Sequence, residues 1–166
     1  MTFAATDLAS VLNAIVTQIV TDSSIFTADN CYIALNRPEP GFTSFSEESL
    51  SLLVYPNAGQ FNQETLNGGG RNQCWWTGVV TVEVITPLRL DQSGREKEFL
   101  TNSTYGVGVG LQEVLNALSI TQLQVSGNDV LIEPMRPEGT SQVIRDESNF
   151  GSMALDFEVS FKWGLS

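Results

Sequence analysis

The feature that most constrains the fold is a long alternating run near the carboxyl end, GSMALDFEVSFKW, from Gly151 to Trp163. Apolar residues at every second position predict a β-strand with one face in a core and the other polar, as is typical of an antiparallel sheet. The apolar set is Met153, Leu155, Phe157, Val159, Phe161 and Trp163, and the opposite set is Ala154, Asp156, Glu158, Ser160 and Lys162. The sheet is therefore expected to have a core-facing and a water-facing side.

The remaining segments complete an α+β pattern in the order αβββαββ. Leu8 to Val20 carries apolar residues at helical spacing and can be capped by Thr6 or Asp7, which predicts a first helix. Further strands are predicted over residues 31–35, 50–55, 75–86 and 130–133, and a second helix over 111–118. We expect a mainly antiparallel sheet of about five strands with two helices packed on one face.

The chain is expected to form one domain, residues 1–166, with long loops at residues 56–74 and 134–150. Its 166 residues, 42% of them hydrophobic, are enough for one sizeable core. Both loops are polar and longer than ordinary connections, which is typical of functional or disordered segments. The short apolar runs and the amino-terminal MTFAATDL predict neither a membrane span nor a signal peptide, so we expect a soluble protein.

Three glycines precede the second helix, and they invite a phosphate-binding interpretation. A dinucleotide fingerprint would need a third glycine where Leu111 stands, and a P-loop would need a lysine after the glycines. Ser93 and Glu96 form a capping box that predicts a helix, not a strand, before the glycines. We favour close packing of Gly106, Gly108 and Gly110, with the stripe Leu111, Val114, Leu115 and Leu118 facing the sheet.

Few residues are suited to catalysis. The chain has no histidine, and its two cysteines are Cys31 and Cys74, which excludes zinc sites of Cys/His spacing and histidine acid–base chemistry. Two buried thiols are favoured over a disulfide. Glu83, Asp156 and Glu158 could bind a divalent cation or act as acid and base, but a solvated strand face is favoured. We predict that the chain is not an enzyme and that it binds neither a cofactor nor a metal ion.

The charge of the chain is strongly acidic. Nineteen Asp and Glu face eight Lys and Arg, so the formal net charge is −11. The two lysines, Lys97 and Lys162, form no basic stripe, and affinity for the phosphate backbone depends on clustered cations. This composition predicts no binding to free DNA. It fits either plain solubility or a surface that lies near DNA without holding it.

The order of segments resembles the tail-terminator and tail-completion proteins, which join head to tail in long-tailed bacteriophages. The resemblance is carried by DLASVLNAIVTQIV, VTVEVITPLRLDQSGREKEF, LQEVLNAL and MALDFEVSFKW. It implies a homo-oligomeric ring, usually a hexamer, that closes the head-proximal end of the tail tube and contacts a head-completion or neck protein. It also implies a channel through which DNA passes without specific binding. Such a protein belongs to the virion and to the host cytoplasm during assembly.

This resemblance suggests candidate site residues. Glu83, Asp156 and Glu158 on the polar strand face are the DNA-channel candidates, although they can equally face outward or pair with Arg89 or Lys162. The interface candidates are Trp75, Arg71, Arg136 and Arg145. One alternative is another neck or tail component, such as a head-closure or tail-tube protein. The other is a small-molecule binding module built on the glycine segment and on either Trp75 or Trp76, which point to opposite strand faces.

Overall fold

Two helices and a mixed sheet form the part of the chain that the structure describes. The structure is a computed structural model that describes residues 4–34, 49–64, 73–87, 100–104, 106–119, 121–141, 144–145 and 150–164. Helix α1 spans Leu8–Asp22, a short 3₁₀ turn spans Ala28–Asn30, and helix α2 spans Val107–Leu118. None of the helices in the described ranges combines the length and the apolar character needed to cross a membrane.

Helix α1 begins where the sequence predicts. The side chain of Asp7 accepts a hydrogen bond from the backbone N–H of Ser10 at 2.8 Å, which satisfies one of the free donors of the first turn. Of the two predicted caps, Asp7 is therefore the one used. The predicted apolar stripe is confirmed by its buried members, which are Val11, Leu12, Ile15 and Ile19.

The main sheet contains six of the described strands. In chain order, the strands of the structure are β1 Cys31–Ile33, β2 Ser51–Glu64, β3 Gln73–Pro87, β4 Gln124–Val125, β5 Asn128–Asp129, β6 Arg136–Thr140, β7 Ile144–Arg145 and β8 Phe150–Lys162. The sheet order is β1-β2-β3-β8-β6, β7 also pairs with β8, and β4 and β5 form a separate hairpin. Only the β1–β2 pair is parallel among these. The predicted α+β class with a mainly antiparallel sheet is confirmed.

Strand β2 is longer than the sequence predicts. Pro56 was expected to end the strand, yet β2 continues to Glu64 and pairs with β3 along its whole length. A register shift between Pro56 and Ala58 accommodates the proline, which cannot donate to the ladder. The loop expected at residues 56–74 is therefore wrong over residues 56–64, which belong to β2, and over residues 73–74, where β3 begins.

The segment before β8 also differs from the prediction. No strand covers residues 130–133, where Leu131 forms an isolated bridge with Phe161. The pairing with β8 is made by β6 and β7, inside the loop expected at residues 134–150. All five residues of β6 are exposed, so this edge strand lacks the apolar alternation by which a strand is recognised.

One hydrophobic core joins both helices to one face of the sheet. It contains α1 and α2 side chains together with Val54 of β2, Val80 and Val82 of β3, and Phe157 and Val159 of β8. These two residues of β8 belong to the apolar set, so the alternation correctly predicts which side of the strand is buried. We call this side of the sheet the core face and the other side the polar face.

The glycines at the start of α2 serve packing, as predicted. The helix begins at Val107 and not at Leu111 as predicted, so Gly108 and Gly110 lie inside it. A Cβ at Gly110 would lie 2.6 Å from Cγ1 of Val84, so α2 approaches β3 at a distance that only glycine permits. A Cβ at Gly106 would overlap the backbone of Asn102, where the chain turns into the helix. Within the predicted stripe, Val114 and Leu118 are buried, while Leu111 and Leu115 are partly buried beside them. The capping box at Ser93 and Glu96 lies outside the described residues.

Candidate functional surfaces of the sheet

The polar face carries cross-strand pairs of hydrogen-bonding side chains from β2, β3 and β8. Thr77 lies opposite Ser160 and Thr81 lies opposite Asp156 in the β3–β8 register. The hydroxyls of Thr77 and Ser160 share a hydrogen bond of 2.8 Å, and Thr81 Oγ1 donates to Asp156 Oδ1 at 2.6 Å. Such pairs stabilise neighbouring strands and fix the orientation of the polar side chains.

Glu83 is the buried carboxylate of the polar face. Its exposed fraction is 0%, although strand alternation predicts that it meets water. Tyr55 Oη donates to Glu83 Oε2 at 3.2 Å, and the hydroxyl of Ser152 donates to Oε1. These donors replace water around the carboxylate, which is the condition for burying such a group. No local sequence pattern could reveal them, because Tyr55 and Ser152 belong to two other strands.

The three channel candidates share one face but differ in exposure. Glu83 is buried, Asp156 is half-buried and held by Thr81, and Glu158 is exposed. Glu158 lies opposite Val79 on one side and Arg136 on the other in the strand register. Glu158 is therefore the member of this set that is available to an outside charge.

The interface candidates lie at different places in the fold. Trp75 is half-buried and lies opposite Lys162 in β8. Arg136 is exposed at the start of β6, and Arg145 lies in β7 opposite Gly151. Arg71 lies outside the described residues. The described candidates lie at different levels along β8, because Trp75 pairs with Lys162, Arg136 with Glu158 and Arg145 with Gly151. They therefore do not define one contiguous patch.

An aromatic cluster lies on the core face at the Phe61 end of β2. It consists of Phe61, Trp76, Phe161 and Trp163. Phe61 meets Trp163 edge to face with 5.0 Å between ring centroids, Phe161 stacks on Trp163 at 5.7 Å, and Trp76 lies 5.4 Å from Phe161. Phe61 is nevertheless 57% exposed. Sequence reasoning missed this cluster because it assigned Phe61 to a loop.

Two facing glycines make room for the Trp76 indole. Gly59 and Gly78 lie opposite each other in β2 and β3, and a Cβ on either one would overlap the indole. The indole therefore lies flat across two strands where no side chain intervenes. Trp76 and Phe161, at the centre of the cluster, are buried because of this close approach, whereas Phe61, at its outer side, is exposed.

Metal-binding and thiol chemistry have few candidates among the described residues. No group of three or more His, Cys, Asp or Glu side chains in the described ranges could hold a metal ion. Cys31 and Cys74 are both free thiols, as favoured from the sequence, but only Cys74 is buried, whereas Cys31 is half-buried. Burial raises the pKa of Cys31 to about 12, so this thiol stays protonated at neutral pH.

Comparison with known proteins gives a likeness of fold. No protein-family model matches the chain, and no curated protein sequence matches it. Among solved structures, a chain from the virion of a native gene transfer agent particle superposes with a TM-score of 0.52 at 14% sequence identity. The match covers 94% of this chain and 99% of that chain. The likeness therefore concerns the whole fold of both proteins, not a shared fragment.

Proposed function

We propose that this chain is a structural protein of a phage-like virion. The observation that carries the proposal is the fold likeness to a chain of a gene transfer agent virion, which spans nearly the full length of both chains. A likeness of fold alone would be weak support, because one fold serves many functions. It gains weight from the sequence, which lacks histidine and a recognisable nucleotide-binding motif. The proposed role needs no catalytic group and no cofactor.

The finer proposal is a ring-forming tail terminator at the head-proximal end of the tail tube. The resemblance of the order of segments to tail-terminator proteins supports this position, and a head-closure or tail-tube protein is the alternative. In this proposal about six copies form the ring, the tail tube contacts one rim, and a head-completion or neck protein contacts the other. A closed ring requires two different contact patches on each chain, and Trp75 and Arg136, on different strands, are candidates for them.

The polar face is the proposed channel wall. A six-copy ring would carry a net charge of about −66, which disfavours binding of duplex DNA. At physiological ionic strength screening acts over about 8 Å, so carboxylates must be at the surface to affect passing DNA. Glu158 is exposed and fits this role, and Asp156 lies two residues before it on the same face. Glu83 supports the sheet from within and acts on DNA only through the position of its neighbours.

The assembly proposal is tested by electron microscopy of tail tubes mixed with the purified protein. We expect a ring at one end of each tube, and tubes without the protein that fail to join heads. Light scattering on the protein alone measures whether rings form without a tube. Absence of any ring, on tubes and in concentrated solution, would refute the terminator role.

The channel proposal is tested by charge reversal at the exposed carboxylate. Glu158→Lys is expected to raise retention on duplex DNA and to lower the yield of DNA-filled particles, because it adds cations along the channel. Glu133→Lys, at an exposed position outside the main sheet, makes the same change of charge and is the matched control. Equal behaviour of the two variants in both assays would show that this face does not line the channel.

A further inference from the structure

The edge at β6 and the outer edge of β2 differ in how well they are protected from pairing with a strand of another chain. Strand β6 carries Pro137 at its second position, the charged residues Arg136 and Glu138 on either side of this proline, and a register shift between Pro137 and Gly139. Proline, charge and bulges are the devices by which natural sheets prevent an edge strand from recruiting another chain. The β6 edge is therefore blocked.

The outer edge of β2 has such devices only at its bulge, where Pro56 lies, and none over the six residues that follow Pro56. β1 pairs with β2 only as far as Val54, and no other described strand lies on the outer side of β2 after that residue. Residues 57–62, NAGQFN, are all exposed and all uncharged. Past the bulge at Pro56 and Ala58 they pair with β3 without a further shift. This segment, which we call the open edge, therefore presents regular backbone that no described strand pairs with on its outer side, next to the exposed Phe61 ring.

We propose that the open edge pairs antiparallel with the open edge of a second copy of this chain, about a two-fold axis at Gln60. Residues that lie opposite each other in a continuous sheet must point to the same face. A two-fold axis normal to the sheet must therefore lie midway between one residue and its own copy. With the axis at Gln60, Phe61 lies opposite Gly59 of the second copy. Both positions are on the core face, because they pair with Trp76 and Gly78.

This register gives the exposed phenyl ring a site. Gly59 has no side chain, and the Trp76 indole lies across it. Phe61 of each copy therefore reaches the edge of the other copy's aromatic cluster. Aromatic cross-strand contacts are among the more stabilising pairs in a sheet. The two-fold symmetry forms this contact twice.

Charge supports a second copy as the occupant. Two chains of net charge −11 repel each other over most of their surfaces, and contact is least opposed where both are neutral. The open edge is such a place, because none of residues 57–62 carries a charge. The contact is isologous, whereas a ring of copies all facing one way uses heterologous contacts. It therefore describes the free protein and goes beyond the proposed ring.

Sedimentation equilibrium of the full chain tests the contact. From about 1 µM to about 1 mM, the range suited to a small interface, we expect a monomer–dimer equilibrium. Gln60→Lys brings two like charges together at the axis and should weaken association at least tenfold (~1.4 kcal/mol). Thr140→Lys adds the same charge at the blocked β6 edge and should leave association unchanged. Monomer at every concentration, or equal weakening by both variants, would overturn the proposal.

Disulfide trapping tests the register independently. In Gln60→Cys the introduced thiols of two copies lie next to each other at the axis, so mild oxidation should yield a covalent dimer. Thr140→Cys, equally exposed, should yield none above the background of the unmodified chain with its two native thiols. Circular dichroism confirms that each variant is folded. Equal yields from the two variants would overturn the register, and a ring on tail tubes would still be observable in either case.

Discussion

Replacing Gly110 by alanine tests whether the close approach of α2 to β3 outweighs the low helix propensity of glycine. In an exposed helix the change would stabilise the protein by about 1 kcal/mol, because glycine is the weaker helix former. At Gly110 the new Cβ would lie 2.6 Å from Val84 Cγ1, 3.2 Å from Leu50 Cδ1 and 3.3 Å from Phe26 Cζ. The first distance is too short to be accepted without movement of the helix or the strand.

The neighbours of Gly110 cannot move easily. Val84 is 0% exposed, lies in β3 between its partners Leu52 in β2 and Met153 in β8, and has a β-branched side chain with few accessible rotamers. Overpacking of such a site costs about 1–3 kcal/mol, so the loss outweighs the gain in propensity. We expect Gly110→Ala to lower the free energy of unfolding by about 1 kcal/mol and Tm by about 2–4 °C.

Urea denaturation followed by circular dichroism measures this change. Asn116→Ala, at an exposed position of the same helix, is the control. It should leave stability within about 0.5 kcal/mol, since a gain in helix propensity offsets the loss of the 2.9 Å hydrogen bond from Gln112. If Gly110→Ala instead stabilises the protein by about 1 kcal/mol, α2 does not pack against β3 at the distance described here.

Three further predictions concern other parts of the fold. Glu83→Ala should lower the free energy of unfolding by about 1–3 kcal/mol in the same denaturation assay, because it removes the acceptor of the hydroxyls that donate to Glu83. Glu158→Ala is the control and should change this free energy by less than about 0.5 kcal/mol. Similar values for the two variants would contradict the difference in burial. Asp7→Ala should cost about 1 kcal/mol through loss of the α1 cap, and thermal denaturation should show no loss if the cap is unused. Cys31 should react slowly with a thiol reagent at pH 8 and faster only as the pH approaches its pKa of about 12, and Cys31→Ser is the control. Because the pKa of Cys31 is raised in the folded protein, the contribution of this thiol to stability is complete below pH 9 and is lost between pH 9 and 12.

Elements with a strong repeating pattern could be predicted from the sequence. The alternation of β8 correctly indicated its position and its buried side, and the spacing from Leu8 to Val20 indicated α1. In both cases the hydrophobic residues of one element face a single core, so the pattern lies within the segment itself. The packing role of Gly110 followed from an incomplete phosphate-binding motif and is confirmed by its contacts.

Features that depend on partner strands could not be predicted in this way. The continuation of β2 past Pro56 depends on a bulge that the paired strand tolerates, and β6 is recognised as a strand only through its pairing with β8. The burial of Glu83 likewise depends on hydroxyls from β2 and β8. Since side chains from distant segments create these environments, no window of local sequence contains the information.

The position of β8 in the sheet has a consequence for how the protein is made. β8 follows every other described strand in the chain, yet it lies between β3 and β6 and not at an edge. Until residues 150–162 have left the ribosome, β3 lacks its partner on one side and the core face of the sheet is incomplete. Folding of the sheet therefore has to wait until residues 150–162 have been synthesised, and the apolar surfaces of β2 and β3 stay exposed in the interval.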